Sequence, residues 1–148
     1  MLLVTPAVGL STPAVFRAWD AGARVAGGAA RMASAHLAEE LRRGIGLPDL
    51  LARASVLAAA NDLAPAAAAV EPALVPFKRA LLRLLGRPVG VSGSGPTNWA
   101  LYASRDAAAA AADRLRAAVA TGELVWPGPR PPFIAATRIL APAPRRQP

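Results

Sequence analysis

An α+β sandwich, one small antiparallel sheet of four strands packed under helices, is the architecture encoded by these 148 residues. Three observations point to it. A short apolar run containing Val and Thr opens the chain at Leu2 to Pro6. Two further β-type runs flank Gly93-Ser94-Gly95-Pro96, and a fourth lies near the end at Phe133 to Leu140. The stretches between carry apolar residues at helical spacing. With 54% hydrophobic and 18% charged residues the chain has the apolar surface to fold, and its length suits one domain over residues 1–140. Residues 141–148 hold three Pro and Arg145-Arg146 without periodicity and are expected to be a disordered tail.

Leu2 to Pro6 reads as a buried strand entering a loop. Thr12 suits an N-cap and Pro13 the first helical position, so a helix is expected through Val15, Phe16 and Trp19. Gly22, Gly27 and Gly28 predict a loop, and Met32 to Arg43 a second helix closed by Gly44 to Gly46. A third helix is expected from Pro48 to Ala60. Asn61-Asp62-Leu63 breaks the pattern, with Asp62 placed to cap an Ala-rich helix beginning at Pro65. Leu74, Phe77, Leu81 and Leu85 then fall on one stripe of a further helix, Lys78, Arg79 and Arg83 lie opposite, and Gly86 and Pro88 stop it. Val89 to Ser92 and Asn98 to Ala103 predict antiparallel strands joined by the glycine loop. Asp106 to Ala120 is a helix capped by Ser104 or Asp106, with Ala108, Ala112, Leu115 and Val119 as its buried face. The order strand, helices, strand, strand, helix, strand is a ferredoxin-like plan with extra helices inserted after the first strand.

Composition excludes several chemistries. The chain has no Cys, hence no thiol nucleophile, Cys-ligated zinc or iron–sulfur cluster, and a single His, His36, argues against a His-built metal site. The net charge is +8, but sixteen of the seventeen basic residues are Arg, Lys78 being the exception, and Ala-rich runs accompany them. Such bias matches a codon preference that places Arg at ordinary solvated positions, a simpler account than a nucleic-acid footprint. The longest uncharged stretches are interrupted by Gly, Pro, Ser and Thr, and the start lacks a positive n-region, so no membrane span or signal peptide is expected and a cytoplasmic product is the default.

Three segments carry candidate chemistry. In Val91-Ser92-Gly93-Ser94-Gly95-Pro96-Thr97 the glycines allow positive φ, and successive amides in such a turn form an anion-binding nest, although the loop lacks the Lys of a P-loop and opens no helix. A plain tight hairpin explains the same residues. At Thr12-Pro13-Ala14-Val15-Phe16 a helix N-terminus favours anionic or hydroxyl-rich ligands and Phe16 is placed to stack on a flat ring; a cap and a core residue are the simpler roles. Asn61-Asp62-Leu63 is explained by capping. His36, beside Glu39 and Glu40, reads as solvated, and the scattered Trp19, Trp99 and Trp126 as packing residues rather than a base-stacking platform.

Ser11-Thr12-Pro13-x-x-Phe16, Asn61-Asp62-Leu63-x-Pro65 and Val91-Ser92-Gly93-Ser94-Gly95-Pro96-Thr97, in this order, resemble the C-terminal domain of the GHMP kinases. Within them the pattern is most similar to the 4-diphosphocytidyl-2-C-methyl-D-erythritol kinases of the non-mevalonate isoprenoid pathway, over nearly the whole chain from Leu2 to Leu140. The resemblance implies an ATP- and Mg-dependent kinase acting on a cytidine diphosphate-linked methylerythritol. It implies substrate-side roles for Thr12, Pro13 and Phe16, with Thr12 beside the reacting hydroxyl and Phe16 against the cytosine. Ser92, Gly93, Ser94, Gly95 and Thr97 are implied to face the active-site cleft.

The departure is equally specific. Family members carry an N-terminal domain with the catalytic Lys and Asp and a Pro-x-x-x-Gly-Leu-x-Ser-Ser-Ala nucleotide loop, and none of these occurs here. The chain is therefore expected to be a fragment, a mis-called start or half of a split enzyme, partnered by a nucleotide-binding domain and inactive alone. Rival readings are a GHMP kinase of another substrate, such as homoserine, and a free-standing Arg-rich RNA-binding module, for which Trp99 and Tyr102, three apart in one strand, cannot both serve the exposed sheet face.

Overall fold

A computed structural model of the chain describes residues 1–22, 37–40 and 42–139. Ten labelled elements follow one another: β1 (Leu2–Thr5), α1 (Thr12–Gly22), α2 (Leu47–Ala52), α3 (Ala54–Ala59), α4 (Leu63–Val70), α5 (Leu74–Leu85), β2 (Gly90–Val91), β3 (Asn98–Ala100), α6 (Arg105–Ala120) and β4 (Phe133–Ala136). Residues 37–40 and 42–43 are also helical. The expected loop at Gly27 and Gly28, the first part of the Met32 to Arg43 helix, His36 and the 141–148 tail lie outside the described residues.

The sheet is antiparallel throughout with the order β2-β3-β1-β4. That is the ferredoxin-like arrangement, with the extra helices after the first strand. Register places Leu2 opposite Ala100 and Ala136, and Val4 opposite Asn98 and Ile134. Because side chains alternate along a strand, these residues share the face that meets α5 and α6. There Leu2 and Val4 join Phe77, Leu81, Ala108, Ala112 and Leu115 in one buried cluster.

The α5 stripe is as its spacing predicts: Leu74, Phe77, Leu81 and Leu85 are its buried residues, and Gly86 at φ +60° closes the helix in the left-handed conformation. In α6 the Ser104 hydroxyl accepts from the Ala107 amide at 3.0 Å, so Ser104 is the cap. Its buried face is Ala108, Ala111, Ala112, Leu115 and Ala118, while Val119 is only half-buried. A second, smaller cluster joins α1 to α4, with Val15 set against Ala66 and Ala67. The buried residues of α4 are both Ala, small enough to let the two helices approach closely, and Leu63 packs beside them.

Four local expectations are corrected. The strands are shorter than their β-type runs, β2 having two residues and β3 three. The helix expected from Pro48 to Ala60 is two short helices parted at Arg53, whose guanidinium donates to Glu40 at 2.6 Å and to the Asp49 carbonyl at 3.2 Å. Gly22, expected in a loop, is helical and is the last described residue of α1. Finally, α4 begins at Leu63, not Pro65, and Asp62 makes no side-chain cap. The Asn61 carboxamide oxygen, not the Asp62 carboxylate, accepts from a backbone amide at this helix start, that of Leu63 at 3.0 Å.

Candidate functional site

The glycine loop connects β2 to β3 as a tight hairpin. The Ser92 amide donates to Thr97 O and the Gly95 amide to Ser92 O, both at 2.9 Å. Gly93 and Gly95 take φ of +53° and +77°, a region that L side chains rarely adopt. Gly95 also sits in close quarters: a Cβ there would lie 3.2 Å from Leu10 and 3.8 Å from Ala67. The loop therefore rests on α4 and on the segment entering α1.

Three side chains hold it. Thr5 Oγ1, at the end of β1, lies 2.9 Å from Thr97 Oγ1. Thr12 Oγ1, at the start of α1, lies 3.1 Å from Ser94 Oγ. Asn61 Nδ2 donates to the carbonyls of Val91 and Gly93, each at 2.8 Å. Segments separated in sequence by 30 to 92 residues thus meet on one hairpin.

The Thr12 role differs from the expected cap. Ser11 takes that place, its carbonyl accepting from the Val15 amide at 3.0 Å and its hydroxyl from the Ala14 amide at 3.4 Å. Pro13 has no amide proton. The end of α1 consequently offers little free donor capacity, and the Thr12 hydroxyl is released to meet Ser94. Phe16, one turn further, is not a core residue: it is 47% exposed, with Trp19 beside it at 37%. In the loop the Gly93 and Ser94 amides donate to no other described residue, leaving two successive N–H groups for solvent or an anion.

The aromatic residues of the sheet do not form a stacking platform. Trp99 lies over Gly90, where a Cβ would come 2.2 Å from its ring. Tyr102 is buried, with the Arg87 guanidinium carbon 3.9 Å from its ring centroid. Burial raises the Tyr102 phenol pKa, partly opposed by the Arg87 charge. Trp126 packs partly buried against the main core.

The family model described as GHMP kinases C terminal matches residues 37–121. The chain belongs to the GHMP kinase family. The matched span contains Asn61 and the whole Ser92–Thr97 loop, whereas Thr12, Pro13 and Phe16 precede it. The fold of this GHMP kinase C-terminal domain brings Thr12 and Asn61 to the same hairpin. No curated protein and no solved structure matches the chain.

Two GHMP kinase requirements are tested by the residues present. Magnesium in kinase sites is held by one or two carboxylates together with the substrate phosphates; among the described residues no group of three or more His, Cys, Asp or Glu comes together. The loop offers amides but no cation for a triphosphate. Among the described residues no helix is long and apolar enough to cross a membrane. Sequence reasoning missed the bonds from Asn61 to the loop and from Thr5 to Thr97. The available signal for Asn61 was its residue type: a carboxamide both accepts and donates, so an Asn two residues before the first helical residue can accept from that residue's amide and donate to a second partner.

Proposed function

We propose that this GHMP kinase C-terminal domain forms the substrate side of an ATP-dependent transfer to the free hydroxyl of 4-(cytidine 5′-diphospho)-2-C-methyl-D-erythritol. The observation that carries the reading is the placement of Thr12 against Ser94, with the exposed ring of Phe16 one turn along the same helix. A hydroxyl pair, two unused loop amides and a half-exposed aromatic suit a ligand with hydroxyls, phosphates and a flat base. The residues that cradle ATP and Mg and take the proton belong, in this reading, to a nucleotide-binding partner domain, and the chain's own share is positioning.

Titration of the full chain with the cytidine diphosphate-linked methylerythritol, followed by amide NMR, tests this. The expected result is saturable movement of the Thr12, Phe16 and Gly93 to Gly95 resonances, with Phe16→Ala weakening binding about tenfold, roughly 1.4 kcal/mol. No movement at those residues overturns the reading. Homoserine moving them in place of the cytidine compound assigns the domain to a kinase of that other substrate.

A further inference from the structure

A backbone N–H of the hairpin serves an anion only while its peptide plane keeps it turned outward. In a trans peptide the C=O and the N–H point to opposite sides, so a hydrogen bond that fixes the carbonyl also fixes the direction of the following residue's amide. The Ser92–Gly93 plane is fixed by the turn itself, since Ser92 O accepts from the Gly95 amide at 2.9 Å. The Gly93–Ser94 plane is trans and has no such bond within the loop. Among the described residues its one hydrogen bond comes from Asn61 Nδ2, which donates to Gly93 O at 2.8 Å.

This plane is the middle peptide of the Ser92–Gly95 turn, and its rotation is what separates one turn type from another with the closing hydrogen bond kept. Gly93 borders it, and glycine accepts either sign of φ, so that side offers little resistance. Ser94 opposes rotation only through the cost of a positive φ. Asn61 supplies the remaining restraint, and it is itself held in place: its oxygen accepts from the Leu63 amide at 3.0 Å, and its Nδ2 also donates to Val91 O at 2.8 Å.

We infer that Asn61 is a positioning residue for anion recognition by the hairpin. By holding the Gly93 carbonyl on its own side, it keeps the Ser94 N–H turned away from α4 and open to an oxygen of a phosphate or diphosphate. The inference rests on the reading of the loop amides as part of the substrate surface, and assigns to a residue outside the loop the orientation of one of them.

Two measurements on the full chain test it. Without ligand, residual dipolar couplings report the direction of the Ser94 N–H bond. Asn61→Ala is expected to change that coupling, whereas Leu81→Val, a destabilising core substitution in α5, leaves it as in wild type. Inorganic pyrophosphate is then titrated and followed by amide NMR. Saturable movement of the Gly93 and Ser94 amides is expected in wild type, with affinity at least about fivefold weaker in Asn61→Ala and within about twofold of wild type in Leu81→Val. Asn61→Ser is the second variant should Asn61→Ala not fold: its hydroxyl can still accept from the Leu63 amide but supplies a single, shorter donor, and a loss of at least about threefold is expected. An unchanged Ser94 coupling in the Asn61 variant, a wild-type Ser94 amide that pyrophosphate does not move, or equal pyrophosphate affinity in variant and wild type overturns the inference. The substrate reading fails separately, when pyrophosphate moves Ser94 but the cytidine diphosphate-linked methylerythritol leaves Phe16 unmoved.

Discussion

The carboxamide of Asn61 donates to the Gly93 carbonyl at 2.8 Å across 32 residues of chain. The same group reaches Val91 O, and its oxygen caps the Leu63 amide. One side chain therefore ties the start of α4 to the hairpin that carries Ser94, and it requires both halves of the amide.

Asn61→Ala removes three hydrogen bonds and is expected to destabilise the chain by about 2 kcal/mol, since the orphaned partners are partly desolvated. Asn61→Asp keeps the Leu63 cap but sets a carboxylate against two carbonyls, so at neutral pH it should be the more destabilising of the two. Urea unfolding of both variants decides. A change below about 0.5 kcal/mol for Asn61→Ala means the hairpin stands without this tie.

Gly90 has no room for a side chain, because Trp99 covers it. Gly90→Ala is expected to displace the ring and to destabilise by about 1–3 kcal/mol. In a Trp99→Leu background the same substitution should have less than half that effect, a double-mutant cycle that isolates the contact.

The α5 stripe gives a paired test. Leu81 is fully buried and Leu82, next to it, is exposed. Leu81→Ala should lower stability by about 2–5 kcal/mol through lost contacts and the cavity left behind. Leu82→Ala should stay within about 1 kcal/mol. Similar losses at both positions in chemical denaturation contradict the assigned face.

The pH dependence centres on Tyr102, whose phenol is pushed above its ordinary value of 10.0 by burial. The folded state thus holds the phenolic proton more tightly than the unfolded chain does. The stabilisation is fully present below the unfolded pKa and is lost as pH rises toward and through the folded one. Tyr102→Phe should remove this part of the alkaline loss and, because the buried hydroxyl makes no hydrogen bond of good geometry and only a weak interaction with Arg114, change neutral-pH stability by less than about 1 kcal/mol. Identical stability slopes for wild type and variant above pH about 10 contradict the buried, protonated phenol.

Local periodicity made much of the molecule legible. Leu74, Phe77, Leu81 and Leu85 declare a helix and its inward face because 3.6-residue geometry puts them on one line whatever surrounds them. Ser104 before Asp106, and Gly86 after Leu85, mark helix ends through backbone groups that any helix leaves unpaired. The four strands and their element order followed from the same local signals, and the antiparallel plan from that order. Phe16 was harder, since an apolar residue on a helix is ordinarily buried and only the position of α1 against α4 shows that this one is not.

What lay beyond local reasoning depends on distance in the chain. Thr12 and Ser94 are 82 residues apart, Thr5 and Thr97 are 92, and no periodicity relates them. Their hydroxyls meet because β1 pairs with β3 while α1 packs on α4, two long-range arrangements that together aim the start of α1 at the loop. Ser11 takes the cap because α1 begins at Thr12, one residue earlier than the expected start, which leaves the Thr12 hydroxyl for Ser94. Lys78 reads as a solvated cation along its helix and becomes half-buried only when α4 and the hairpin close beside it. Elements and faces were thus set by interactions within a few residues, and the site by tertiary contacts that bring unrelated segments to a single hairpin.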